Sequence, residues 1–226
     1  LDECPVQGYD LQRWRLWMKV LIVFLIAVGP RSNEIESLDL RSQLHLGTDP
    51  HVHFDERKNL RNYEDQVNVP IMMGVNYLSA YRDFIEETGQ NGNLVPSPES
   101  ESGCRTPSTL NSWIEELCKI ANVQLNDGSY PTIQNFRQFW KTQYKKALQE
   151  NRDQIKFLAE EDGKKGPDSD ELNYIDQEMN RQHIRELGRE CFENILNLDE
   201  LPELIQDELN QSEYTERQSR IVDYAS

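Results

Sequence analysis

Cysteine is scarce in this chain of 226 residues, and the few that occur lie far apart. They are Cys4, Cys104, Cys118 and Cys191. No two of them have C-x-x-C spacing and no histidine lies at the interval of a zinc ligand, so we expect no metal site. The low density also excludes a disulfide scaffold and favours free, buried thiols in a reducing compartment.

Long apolar runs are missing as well. The run Val20–Val28 is too short for a membrane span, which needs about 20 apolar residues. Met18-Lys19 before it imitates the charged start of a signal peptide, but Arg13 and Arg15 lie further upstream. The apolar residues around this run recur at helical spacing, so we predict a buried core helix over residues 9–28.

Positively charged residues are few: the chain has 24 Lys+Arg against 40 Asp+Glu and a net charge of −16. The hydrophobic fraction of 37% is below the roughly 45–50% of an average soluble domain. Even so, the apolar residues cluster in periodic blocks, which predicts a core and excludes the collagen-like and fully disordered classes. Most of the cations are arginine, which suits recognition of phosphate or carboxylate.

Helical periodicity covers most of the chain, so we predict a mainly α fold with a small antiparallel β-sheet (α+β). Two strand-like pieces, His51–Asp55 and Gln66–Val69, indicate a hairpin, and Leu94–Pro96 is a candidate strand inside a loop over 89–107. One predicted helix is capped by Ser108 or Thr109 and ends at Ile120. The other predicted helices cover residues 9–28, 32–40, 70–87, 131–161, about 171–196 and about 199–222. A loop is predicted over 162–170.

The most informative string begins at Gly29-Pro30, where the first helix should break. Arg31 then opens the next helix, and Glu34 follows three residues later. That spacing places both side chains on one helix face, where the carboxylate can orient the guanidinium. An ordinary ion pair at a helix start would have the same pattern.

In the stretch Val28–Leu38 the chain resembles the tyrosine recombinase (phage integrase) family, whose first catalytic arginine lies in a TGxRxxEhxxL motif, where h is apolar. Here Val28 replaces the threonine, and Arg31 matches the arginine. The family's second motif, HxxR, is matched by Gln134 and Arg137, with glutamine in place of histidine. The string Phe-Arg-x-Phe-Trp around Arg137 looks like an archaeal branch of the family. A snorkelling arginine on an amphipathic helix is the alternative for Arg137.

The family also places a catalytic lysine in a β-hairpin after the first arginine. Lys58 lies between the two strand-like pieces and precedes a Val-x-Val-Pro phrase that ends at Pro70, so the resemblance assigns it this role. Arg57 and Arg61 are rival cations, and a solvated turn lysine is the ordinary alternative.

The nucleophilic tyrosine of the family follows the second arginine, just past a loop. Tyr174 has this position, after the loop over 162–170. Lys165 occupies the place nine residues before it, where the family has histidine or tryptophan. Three other tyrosines are less suitable, since Tyr144 is only seven residues past Arg137 and both Tyr214 and Tyr224 lie in the C-terminal tail.

The resemblance implies site-specific DNA cleavage and rejoining through a 3′-phosphotyrosyl intermediate, with no metal or nucleotide cofactor. It implies a catalytic domain over residues 1–196 without the N-terminal core-binding domain, and an acidic helix and tail over 197–226. It further implies double-stranded DNA at a specific site as the partner, a homotetramer on that DNA, and a cytoplasmic, nucleoid-associated location.

The acidic composition argues against DNA binding, which depends on cations that neutralise phosphates. Either the positive charge is concentrated in one cleft, or the host is salt-adapted (halophilic), which we favour.

Two other functions remain open. One is a catalytically degenerate recombinase fold that binds DNA or a protein, as the loss of histidine at Gln134 would allow. The other is an acidic helical interaction module whose motif matches arise by chance.

Overall fold

The computed structural model describes residues 4–6, 10–48, 50–54, 68–97, 103–143, 146 and 149. In this part the chain is mainly helical with a three-stranded antiparallel sheet, as predicted. The elements in chain order are α1 Leu11–Val28, α2 Ser32–Glu36, α3 Leu40–Gln43, β1 Leu44–His45, β2 His51–His53, β3 Asn68–Pro70, α4 Val75–Thr88, α5 Pro107–Ala121 and α6, helical over 133–143.

Helix α1 is the centre of the core, and most of its residues are buried. It begins after Asp10, whose carboxylate accepts a hydrogen bond from the Arg13 N–H at 2.9 Å. It ends at Gly29, which adopts the left-handed conformation (φ 58°) and donates its N–H to the Leu25 carbonyl. The predicted core helix is therefore confirmed. No helix in the described ranges has the length and apolarity needed to cross a membrane.

The single helix predicted over 32–40 is wrong, because the segment forms two short helices, α2 and α3. Asp39 separates them: its backbone is extended, its carboxylate caps α3 by accepting from the Arg41 N–H, and it forms a β-bridge with Asn93. The Asp39 side chain hydrogen-bonds to nearby backbone N–H groups in place of a continuous helix, which explains why the helix breaks at this residue. Leu38 and Leu40 on either side are buried in the core.

The sheet has the order β1-β2-β3 with both pairs antiparallel. Strands β2 and β3 correspond to the predicted hairpin, although β2 ends at His53 and the part of the hairpin over 55–67 lies outside the described residues. Strand β1 was not predicted, since a two-residue strand has too little alternation to be recognised. Leu44, Val52 and Val69 point inward and are buried.

Helix α4 begins at Val75, five residues later than predicted. The delay arises because Ile71, Met72 and Met73 form a buried connection from the sheet and Gly74 adopts a left-handed conformation (φ 68°) before the first turn. The helix then packs against α1 through the buried face that contains Tyr77, Leu78, Tyr81, Phe84 and Ile85.

The segment that follows α4 contributes buried residues to the core. Leu94 and Val95 are fully buried, but the predicted strand there is limited to an isolated bridge between Pro96 and Cys104. The cap of α5 is Thr106, whose hydroxyl accepts from the Thr109 N–H, and not Ser108 or Thr109 as predicted. Pro107 at the first helical position favours this start.

Helix α6 corresponds to the first part of the helix predicted over 131–161. Thr132 precedes it, and the Asn135 side chain accepts a hydrogen bond from the Thr132 N–H at 2.9 Å. The first helical residue, Ile133, is buried and donates its N–H to the Asn111 side chain of α5 at 3.0 Å. The predicted loop over 162–170 and the last two predicted helices lie outside the described residues.

Candidate functional site

Three helices meet at the Gly29-Pro30 turn: α1 through its last turn, α2 through its first turn and α6 through its second turn. Arg31 is the residue that precedes α2, and its backbone N–H donates to the Glu34 carboxylate at 2.6 Å. This contact is one half of a capping box, in which the glutamate at the third helical position accepts a hydrogen bond from the backbone N–H of the residue before the helix. The spacing noticed in the sequence therefore reflects a local backbone contact as well as a side-chain pair.

Glu34 is buried, with 2% of its side chain exposed, and it lies between two arginines. Its Oε1 is 3.8 Å from Arg31 Nε, and its Oε2 is 3.9 Å from Arg137 Nη1. Arg31 and Arg137 are thus brought to one carboxylate although they are far apart in the sequence. Within the part of the chain that the structure describes, two guanidiniums beside one carboxylate leave a local excess of one positive charge, which suits the binding of an external anion.

The two arginines differ in exposure, and the difference suggests separate tasks. The side chain of Arg31 is 41% exposed, whereas that of Arg137 is 13% exposed. Arg137 donates from Nη1 to the Gly29 carbonyl at 2.7 Å, which caps the C-terminal end of α1 with a cation. Burial lowers the pKa of Arg137 below its usual value, Glu34 opposes this shift, and the nearby Arg31 adds to it. Arg137 stays charged under ordinary conditions, since a guanidinium is not deprotonated in proteins.

Trp140 fixes α6 against the end of α1. Its indole N–H donates to the Ala27 carbonyl at 3.1 Å, and the Met72 backbone N–H donates to the same carbonyl at 3.1 Å. A Cβ atom on Gly29 would lie 2.5 Å from the Trp140 Cβ, so only glycine allows this approach. The Gly-Pro break and the Phe-Arg-x-Phe-Trp string are therefore two sides of one contact.

Gln134 lies one helical turn before Arg137 on α6 and is exposed. Residues three apart share a helix face, so its amide is placed on the side of α6 that carries Arg137. An amide can donate and accept hydrogen bonds at any pH, but it cannot exchange a proton near neutrality as the histidine of the family motif would.

The remaining predicted site residues, Lys58, Lys165 and Tyr174, lie outside the described residues. So do the rival cations Arg57 and Arg61 and the rival tyrosines Tyr144 and Tyr214, together with the tail over 197–226. The assignments of Lys58, Lys165 and Tyr174 stay predictions.

Sequence reasoning missed two parts of the site, the Gly29 carbonyl and the Trp140 indole. Both act through contacts between segments more than a hundred positions apart, which no local pattern reveals. Two positions in the sequence did carry a signal. The tryptophan three residues after Arg137 and the glycine at the end of a helix both indicate that two segments pack closely there.

A scan against protein-family models finds no match for this chain, and neither a curated protein nor a solved structure matches it. The resemblance to the tyrosine recombinases therefore stays a prediction from the sequence motifs.

Proposed function

We propose that this chain is a tyrosine-type DNA strand transferase, a site-specific recombinase that cleaves and rejoins double-stranded DNA. The observation that carries the proposal is the approach of Arg31 and Arg137 to the two oxygens of Glu34. A phosphodiester needs two fixed donors for its non-bridging oxygens, and paired guanidiniums provide them with bidentate geometry.

The reaction assigns one role to each residue. The Tyr174 phenolate oxygen attacks the phosphorus, a phosphotyrosine bond forms, and the bond to the 5′-oxygen breaks. Lys58 protonates the departing oxygen, which leaves as a hydroxyl, while Arg31 and Arg137 stabilise the charge that develops on the phosphate. Gln134 and Lys165 hydrogen-bond near the phosphate. Attack of a 5′-hydroxyl from another strand reverses the step, so the phosphodiester is regenerated without a metal or a nucleotide.

Double-stranded DNA at a specific site is the proposed substrate, and four protomers would assemble on it. Glu34 keeps both guanidiniums within ion-pair distance of one point before DNA arrives, and the Gly29 carbonyl holds Arg137, so little reorganisation is needed when the phosphate binds. Arg31 is the more exposed of the two and makes first contact with the phosphate in this proposal. The salt-adapted host accounts for the excess of acid outside the site.

A catalytically degenerate recombinase fold that binds DNA or a protein is the second candidate. The contact of Arg137 with the Gly29 carbonyl favours it, because that contact gives the residue a structural role independent of catalysis. The exposed Gln134, which cannot relay a proton, points the same way. Covalent attachment to DNA separates the two candidates.

We expect weak, strongly salt-dependent binding of duplex DNA, and we expect Arg31→Gln to weaken it about tenfold, as the loss of one charge-assisted contact would. The slope of log affinity against log salt should also fall by about 1. The measurement is fluorescence anisotropy of a labelled duplex over a potassium chloride series.

The matched control is Arg82→Gln, which makes the same charge change on α4. Arg82 pairs there with Asp83 and Glu86 at 3.7 and 3.9 Å, and neither partner belongs to the site. The control should keep the affinity and the slope of the unmodified chain. Equal losses in both variants would show that only net charge matters, and tight binding indifferent to salt would contradict the phosphate contact.

A further inference from the structure

Two side chains of α6 donate hydrogen bonds to backbone carbonyls at the end of α1. The last carbonyls of a helix have no partner within the helix, so they need donors from elsewhere. Arg137 donates from Nη1 to the Gly29 carbonyl at 2.7 Å. Trp140 donates from Nε1 to the Ala27 carbonyl at 3.1 Å. Because residues three apart share one helix face, α6 is attached to α1 at two points of the same face.

The attachment through Trp140 constrains where the Arg137 guanidinium can lie. At its first residue α6 is fixed to α5, where the Ile133 N–H donates to the Asn111 side chain at 3.0 Å, one turn before Arg137. Trp140 holds the helix one turn later, so Arg137 lies between two attachments. The indole ring is half-buried and packs against the core, which leaves it little freedom to follow a movement of α6.

The carbonyl that Trp140 contacts also receives the connection from the sheet. The Met72 N–H donates to the Ala27 carbonyl at 3.1 Å. Met72 follows the last residue of β3 by two positions, and the segment before β3 contains Lys58 in the sequence. One backbone oxygen therefore joins α6, the end of α1 and the strand that follows the predicted catalytic lysine.

Trp140 also touches the turn that carries the acceptor of Arg137. A Cβ atom on Gly29 would lie 2.5 Å from the Trp140 Cβ and 2.6 Å from its Cγ, so the side chain is packed directly on the Gly29 backbone. The carbonyl of the same glycine accepts from Arg137. A displaced indole would therefore shift the group that holds the guanidinium.

We propose that Trp140 is a positioning residue for DNA strand transfer, which places Arg137 beside Arg31 through its contacts with Ala27 and Gly29. The inference rests on the proposed function and adds to it a residue that does not itself touch DNA. Two guanidiniums bind a phosphate best when both are in place before it arrives, because they then need no reorganisation. Loss of the indole N–H should weaken the phosphate contact of Arg137, although no group that binds DNA is removed.

The test is a double-mutant cycle of Trp140→Phe and Arg137→Met, measured by anisotropy of a fluorescein-labelled duplex at low salt. Alone, Trp140→Phe should weaken binding about fivefold, within the range for the loss of one hydrogen bond. In the Arg137→Met background it should change the affinity by less than about twofold, because the residue that it positions is already gone. A purely structural role would give the same factor in both backgrounds.

The salt dependence gives a second measurement that needs only the single variants. Loss of one phosphate contact lowers the slope of log affinity against log salt by about 1. Trp140→Phe should therefore lower the slope towards that of Arg137→Met, even though it removes no charge. If the double variant does not fold, this comparison decides the question.

The matched control is Trp14→Phe, which makes the same change near the beginning of α1. The Trp14 side chain is buried, and its indole N–H has no hydrogen-bond partner in the described part of the chain. The folded control should keep the affinity and the salt slope of the unmodified chain. Circular dichroism of each variant confirms that the compared proteins are folded.

The two proposals fail in different ways. Equal factors in the two backgrounds, an unchanged salt slope in Trp140→Phe, or equal weakening by Trp14→Phe would overturn the positioning role and leave the recombinase proposal standing. Absence of duplex binding by the unmodified chain would overturn both.

Discussion

Replacing Arg137 with methionine should lower the free energy of unfolding by about 3 kcal/mol, near the lower end for breaking a buried ion pair. The substitution keeps much of the apolar stem but removes the donor to the Gly29 carbonyl and the cation beside the buried Glu34. Partial exposure of Arg137 and the continued presence of Arg31 keep the loss from being larger. The measurement is urea unfolding followed by circular dichroism.

Arg31→Met is the comparison that makes this result informative. Arg31 pairs with the same carboxylate but is far more exposed, so its loss should change the free energy of unfolding by about 1 kcal/mol or less. Both variants should bind duplex DNA more weakly, by about tenfold for each lost charge-assisted contact. Equal destabilisation by the two substitutions would contradict the proposed division of tasks, in which both arginines bind the phosphate and Arg137 in addition supports the fold.

Replacing Gly29 with alanine should lower the free energy of unfolding by about 3 kcal/mol. About 1 kcal/mol comes from the left-handed backbone at φ 58°, and about 2 kcal/mol from the Cβ atom forced against the Trp140 side chain. The added strain should also displace the Gly29 carbonyl from Arg137, so DNA binding should weaken in the fraction that stays folded. Urea unfolding gives the first effect and anisotropy the second.

Gly89→Ala is the matched control for this substitution. Gly89 has a similar left-handed conformation at φ 68°, but a Cβ atom there meets nothing within 4 Å. Its replacement should therefore cost only about 1 kcal/mol of backbone strain. If the two glycine variants are equally destabilised, the close approach of Trp140 to the turn does not contribute to stability.

Local patterns were sufficient for those features that depend on neighbours in the sequence. The apolar rhythm predicted α1, and the Arg31–Glu34 spacing predicted a pair that exists together with a backbone hydrogen bond. The same reasoning failed over 32–40, because the role of Asp39 depends on Asn93, a partner more than fifty positions away. It also placed the start of α4 too early, since the buried connection at Ile71–Met73 is as apolar as a helix.

The site itself could be predicted only in part. The order of the motifs named Arg31 and Arg137, but the hydrogen bond of Arg137 to Gly29 and the packing of Trp140 arise from the tertiary fold. The sheet illustrates the same limit. His51 and His53 alternate in one strand, whereas His45 joins them through the pairing of β1 with β2, a strand too short to recognise.

Covalent trapping on DNA tests the central claim most directly. The chain is incubated with a nicked suicide duplex, the adduct is separated in denaturing gels, and the linked peptide is mapped by mass spectrometry. Each variant is checked for folding by circular dichroism, and Tyr130→Phe, which alters a partly exposed tyrosine whose hydroxyl accepts from Gln124 at 3.2 Å, is the matched control.

We predict an adduct on the peptide that contains Tyr174, its retention in Tyr130→Phe, and its abolition in Tyr174→Phe, since no other group replaces the phenolate oxygen. Arg31→Gln should slow its formation about a hundredfold, as loss of one donor to the developing charge does elsewhere. An adduct that persists in Tyr174→Phe, or that maps to Tyr144 or Tyr214, would contradict the assignment of the nucleophile, and no adduct at any salt concentration would contradict strand transfer itself.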